Sequence, residues 1–86
     1  MEQQEIIRFL NYPDKGLVDY AVGCANLTVH EKQAIDYRVY HSMTIEEAAE
    51  ALLVSPGTIK NRSASGYDKL NSCWSGKGWI YSLLKQ

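Results

Sequence analysis

Five residues in one short stretch, Ser55, Thr58, Lys60, Asn61 and Arg62, place hydroxyl, ammonium, amide and guanidinium groups at the start of a predicted helix. Such a set suits phosphates and base edges in the major groove of duplex DNA, and the helix N-terminal dipole adds attraction for anions. Lys60 and Arg62 would position on phosphates, while Ser55, Thr58 and Asn61 would supply readout or backbone hydrogen bonds. The rest of the chain is poor in chemistry. No nucleophile stands beside a base, no carboxylates pair and no phosphate loop is present, so no catalytic site or cofactor is expected. Cys24, Cys73, His30 and His41 lack the CxxC or HxxxH spacing of a metal site. The cysteines read as buried free thiols, and the histidines as surface or capping residues.

Length and charge narrow the partners. At 86 residues, with 45% apolar and 22% charged residues, the chain makes one small domain and leaves no room for a two-lobed enzyme. Its net charge of −1 hides an asymmetry: nine acids oppose four bases through Val54, and five bases oppose Asp68 alone from Ser55 onward. A chain that is acidic first and basic last can turn one face toward a polyanion. No apolar run approaches the length of a membrane span, and the start lacks the basic and apolar regions of a signal peptide, so a cytoplasmic location is expected.

Helical periodicity dominates, with no strand alternation and no Asn-Gly or Asp-Gly hairpin turn, which predicts an all-α fold. Ile6, Ile7, Phe9 and Leu10 mark a helix over 2–11, ended by Asn11-Tyr12-Pro13. Pro13 suits the first turn of a second helix to about residue 25, with Leu17, Tyr20, Ala21 and Cys24 on its inner face. Thr28-x-x-Glu31 is a capping box that starts a helix to about residue 41, with Ala34, Ile35, Tyr37 and Tyr40 as its apolar positions. A second box, Thr44-x-x-Glu47, opens a short helix with Ala48, Ala49 and Leu52 inward. Leu53-Val54-Ser55-Pro56 reads as a tight turn with Ser55 capping the next helix. Ser63 to Gly66 predicts a soft interruption before Tyr67 and Leu70, and Asn71 to Gly78 a loop. Trp79, Ile80, Leu83 and Leu84 form a last amphipathic helix. The expected organisation is a single domain with an N-terminal helical segment (1–26), a helix-turn-helix core (27–70) and a C-terminal loop and helix (71–86).

Thr44 to Leu70 has the parts of a helix-turn-helix: small Ala49 where two helices cross, Val54 plugging the turn, and Ile59 anchoring the second helix. Over Leu27 to Leu70 the chain resembles region 4 of bacterial sigma factors, especially the extracytoplasmic-function type, and is similar to LuxR-type DNA-binding domains. The matching residues are Leu27, Glu31, Thr44, Glu46-Glu47, Ala49 to Leu52, Val54-Ser55, Gly57 to Lys60, Arg62 and Lys69-Leu70. Departures fall at Ala48, where the pattern has isoleucine, Leu53, where it has glycine, and Ser63, where it is apolar. Ser65, Tyr67 and Asp68 replace residues that are usually basic.

The resemblance implies a small DNA-binding transcriptional regulator of bacterial, phage or mobile-element origin, without the promoter-opening region of a complete sigma factor. By analogy with the LuxR type, Trp79, Ile80, Leu83 and Leu84 are expected to pair two copies as a homodimer. The second reading is a protein-interaction module that keeps the helix-turn-helix shape and binds RNA polymerase, a sigma factor or a defence nuclease. The thinned bases after Arg62 and the acidic first half favour that alternative.

Overall fold

Local capping decides where most of the helices begin. A computed structural model of the protein describes residues 1–85. Among them are six α-helices and no strand: α1 (Gln3–Leu10), α2 (Lys15–Ala25), α3 (Val29–Ile35), α4 (Ile45–Leu52), α5 (Pro56–Trp74) and α6 (Gly78–Leu84). A π-helical segment, Asp36–Tyr40, continues α3. The fold is all-α, as the periodicity predicts. Both predicted capping boxes close: Thr28 N–H donates to Glu31 Oε1 at 2.8 Å and Thr44 N–H to Glu47 Oε1 at 2.9 Å. In return each threonine hydroxyl accepts the glutamate's backbone N–H at 3.1 Å.

The chain resolves into two compact units, a terminal one built from Met1–Asn26 with the chain from Tyr67 onward, and a central one, Leu27–Gly66. In the terminal unit Ile6, Phe9, Leu10, Val18, Ala21, Leu70, Trp74 and Ile80 are buried. Phe9 meets Trp74 edge-on at 5.1 Å between ring centroids, and Trp74 Nε1–H donates to Ala21 O at 2.9 Å. The indole thus brings its polar group into the core with a partner. In the central unit Ala34 and Ile35 are buried, and Ala48, Ala49 and Ile59 form a buried cluster with Tyr37, Met43, Ile45, Leu52 and Val54 packed against it.

Several expectations are corrected. α2 begins at Lys15 because Asp14 caps it, accepting Leu17 N–H at 3.2 Å, and Pro13 stays outside the helix. Its inner face is Val18 and Ala21, while Leu17, Tyr20 and Cys24 are exposed. Two overlapping stripes at spacings of three and four run along this helix, and packing selects the other one. The cysteines are not buried thiols: Cys24 is exposed and Cys73 half-buried. The helix after Thr28 does not run in one α-helical stretch to residue 41, because His41 N–H reaches back to Asp36 O and widens the last turn.

Ser63 to Gly66 does not interrupt α5, and the helix continues through the first half of the expected loop to Trp74. Three of these four residues have a reason in the fold. Ser63 is buried and its hydroxyl donates to Ile59 O at 2.8 Å. Ser65 donates to Glu31 Oε2, tying α5 to α3. A Cβ at Gly66 would lie 2.5 Å from Ile35 Cδ1, so glycine here permits close approach to α3.

Candidate nucleic-acid interface

The turn between α4 and α5 closes tightly. Val54 N–H donates to Ala49 O at 3.0 Å, and Leu53 takes left-handed backbone angles, φ 59° and ψ 43°. That is the conformation glycine adopts most readily after a helix. Leu53 is 91% exposed, so its side chain gains nothing from the core.

Ser55 then starts α5. Its Oγ accepts Thr58 N–H at 3.2 Å and lies 2.9 Å from the Thr58 hydroxyl, so the two predicted readout hydroxyls engage each other as a cap. Pro56 takes the first helical position, where a missing N–H costs nothing. Ile59, Ser63, Gly66, Leu70 and Trp74, spaced at four, three, four and four, are the buried positions of α5. Gly57, Lys60, Asn61 and Ala64 are exposed, and Thr58 and Arg62 flank them half-buried. The structure thus brings all five predicted contact residues onto the first two turns of one helix, with Lys60 and Asn61 standing furthest into solvent. Apart from Lys60, the exposed positions of these turns carry short side chains, which lets the helix backbone come near a groove floor.

Electrostatics are more local than the linear charge pattern suggests. The central unit holds five acids and four bases, a net −1, and the described part of the terminal unit holds five of each. Acidic N-terminal and basic C-terminal segments fold into the same unit and cancel. α4 presents Glu46, Glu47 and Glu50 to solvent. Glu47 is held below the usual glutamate range by the Thr44 backbone N–H and, secondarily, the Thr44 hydroxyl.

The residues expected to pair two copies sit differently from one another. Ile80 is fully buried in its own unit, Leu83 and Leu84 are half-buried, and Trp79 is 38% exposed with its ring 5.9 Å edge-on from Phe9. Arg8 Nη2 donates to Leu84 O at 2.8 Å, fixing the end of α6. Ile80 therefore belongs to the buried core of its own unit. Sequence reasoning passed over Leu53 as a fully exposed apolar residue and Ser65 as a partner of Glu31. The left-handed position could have been suspected from the missing turn glycine, but nothing local marks Ser65. Among the described residues no helix is long and apolar enough to cross a membrane. No family model matches this sequence, and no curated protein or solved structure matches it.

Proposed function

We propose that this chain is a small DNA-binding transcriptional regulator that lays the first two turns of α5 into the major groove of duplex DNA. The observation that carries the reading is the outward face of α5, where Lys60 and Asn61 are exposed beside Gly57 and Ala64, opposite a fully buried Ile59. Lys60 and Arg62 supply the phosphate contacts and Asn61 the side chain free to read a base edge. Ser55 and Thr58 act first as the cap that sets the helix start, and contact the backbone of DNA from there. The test is fluorescence anisotropy of a labelled random duplex across a salt series. Two phosphate contacts give a log–log slope near −2, at about −0.9 per contact. The Lys60→Ala/Arg62→Ala double variant is expected to flatten that slope, and unchanged affinity and slope would overturn the assignment.

A second reading has its own observation. Exposed Glu46, Glu47 and Glu50 lie on α4 just before an exposed Leu53, an acidic and apolar surface suited to a basic protein partner. On that reading, charge reversal at the three glutamates abolishes capture of a nuclease-resistant partner, and Lys60→Ala leaves it intact.

A further inference from the structure

The chain has four asparagines, and three of them serve the fold. The Asn11 carboxamide donates to Ile7 O at 3.0 Å at the end of α1, Asn26 closes α2 in the left-handed conformation, and Asn71 Oδ1 accepts the Ser75 hydroxyl at 3.0 Å. Asn61 does none of this. It is the sixth residue of α5, past the turn in which a side chain can cap, and it is exposed. Its carboxamide has no hydrogen-bond partner among the described residues. Asparagine inside a helix is unfavourable because its amide competes with the backbone, and nothing within the fold offsets that here. Gly57, one turn earlier, and Ala64, one turn later, share the outward stripe with it at spacings of four and three. A Cβ at Gly57 would meet only Ser55 Oγ, at 3.9 Å, and φ there is not positive, so the fold does not require glycine. On this stripe one hydrogen-bonding side chain thus stands between two positions that have none.

We propose that Asn61 determines the sequence preference of α5 by reading adenine, an inference that rests on the DNA-binding reading above. A carboxamide carries a donor and an acceptor side by side. On the major-groove edge adenine alone presents the matching pair, with N7 as acceptor beside the N6 amino donor. Asn61 Nδ2–H donates to N7, and adenine N6–H donates to Asn61 Oδ1. Guanine offers two acceptors on that edge, so one of its groups would face Oδ1 unpaired, and cytosine and thymine offer one hydrogen-bonding group each. Gly57 is the counterpart of this contact. Asparagine is short, so the helix backbone must come close to the base, and the missing side chain at Gly57 leaves room for that approach. With Ser55 and Thr58 engaged in the cap and no hydrogen-bonding group at Gly57 or Ala64, the preference centres on one A·T pair.

The test uses the whole chain. The parent protein is first titrated against a labelled random duplex at low salt, which reads DNA binding by itself, and then enriches sites from a randomised duplex library. The expected site has one fixed A·T pair. Replacing that pair with G·C should weaken parent binding by about 5- to 150-fold. Replacing its adenine with 7-deazaadenine, which keeps the base pairing and lacks N7, should weaken it in the same direction. In the Asn61→Ala variant, whose thermal midpoint should be no lower than the parent's, both replacements should change affinity by less than about twofold. Gly57→Leu should fold as the parent does and lose the preference. A parent that binds the random duplex but enriches no fixed A·T pair overturns the proposal while DNA binding stands. So does an Asn61→Ala or Gly57→Leu variant that enriches the same pair, or a parent indifferent to 7-deazaadenine. A parent that binds no duplex at low salt overturns the DNA-binding reading itself, and this inference with it.

Discussion

Replacing Gly66 with alanine tests why α5 is continuous. The added Cβ would sit 2.5 Å from Ile35 Cδ1, 3.3 Å from Ile35 Cγ1 and 3.6 Å from Glu31 Cβ. Ile35 is 2% exposed, so its terminal methyl has little room to retreat. Overpacking of this kind costs about 1–3 kcal/mol, and alanine's better helix propensity returns about 1 kcal/mol. The net expectation is a loss of about 1 kcal/mol, which lowers the thermal midpoint by roughly 4–8 °C in a chain of this size. Ile35→Val removes the clashing Cδ1 and by itself costs about 1 kcal/mol. In the double variant the 2.5 Å contact is gone, only the tight 3.3 Å approach to Cγ1 is left and the propensity gain remains, so alanine at position 66 should cost less in the Ile35→Val background than beside Ile35. Urea unfolding followed by circular dichroism, extrapolated linearly for the four proteins, measures the coupling. A Gly66→Ala variant as stable as the parent, or two substitutions additive within about 0.5 kcal/mol, would refute the close-approach explanation.

Leu53→Gly should stabilise the protein by about 0.5–1 kcal/mol, because relief of a left-handed leucine, about 1–2 kcal/mol, exceeds glycine's extra entropy cost; a lower urea midpoint would count against it. Trp74→Phe should cost about 2 kcal/mol, losing the indole bond to Ala21 O and part of the contact with Phe9, and a midpoint within error of the parent contradicts this. Glu47, whose folded pKa is depressed, contributes stability that is present above the unfolded glutamate pKa and lost as pH falls through the folded value. Carboxyl carbon NMR should place its midpoint below that of an unstructured glutamate, and Glu47→Gln should flatten the acid limb of the stability profile.

What could be read from sequence was what short-range chemistry decides. Thr28 with Glu31 and Thr44 with Glu47 sit three residues apart, so their boxes are visible without a fold, and Ser55-Pro56 marks the start of α5 in the same way. Ser63 to Gly66 looks like a break because serine and glycine weaken an isolated helix. Their partners Glu31 and Ile35 lie more than thirty positions away, so the reason for small residues becomes visible only once α3 is packed. α2 is a different case: Ala21 is buried as expected, but both Leu17-Tyr20-Cys24 and Val18 satisfy helical spacing with it, and hydropathy alone cannot choose between them.

The same distinction bears on the candidate site. All five predicted contact residues fall on the first turns of α5, because their placement depends only on a local cap and on Ile59 facing inward. The field around them was not local. The asymmetry of the linear sequence, −5 followed by +4, pointed to a basic face, but folding joins the acidic start to the basic end and leaves the unit that carries the first turns of α5 at −1. A helix on such a unit receives little long-range attraction toward a polyanion. On the proposed function, binding to duplex DNA would come from contacts within reach of Lys60 and Arg62, with a shallow salt slope and weak affinity per protomer. A slope much steeper than −2 for a single protomer would mean that cations outside α5 reach the duplex, and that the interface is wider than this helix.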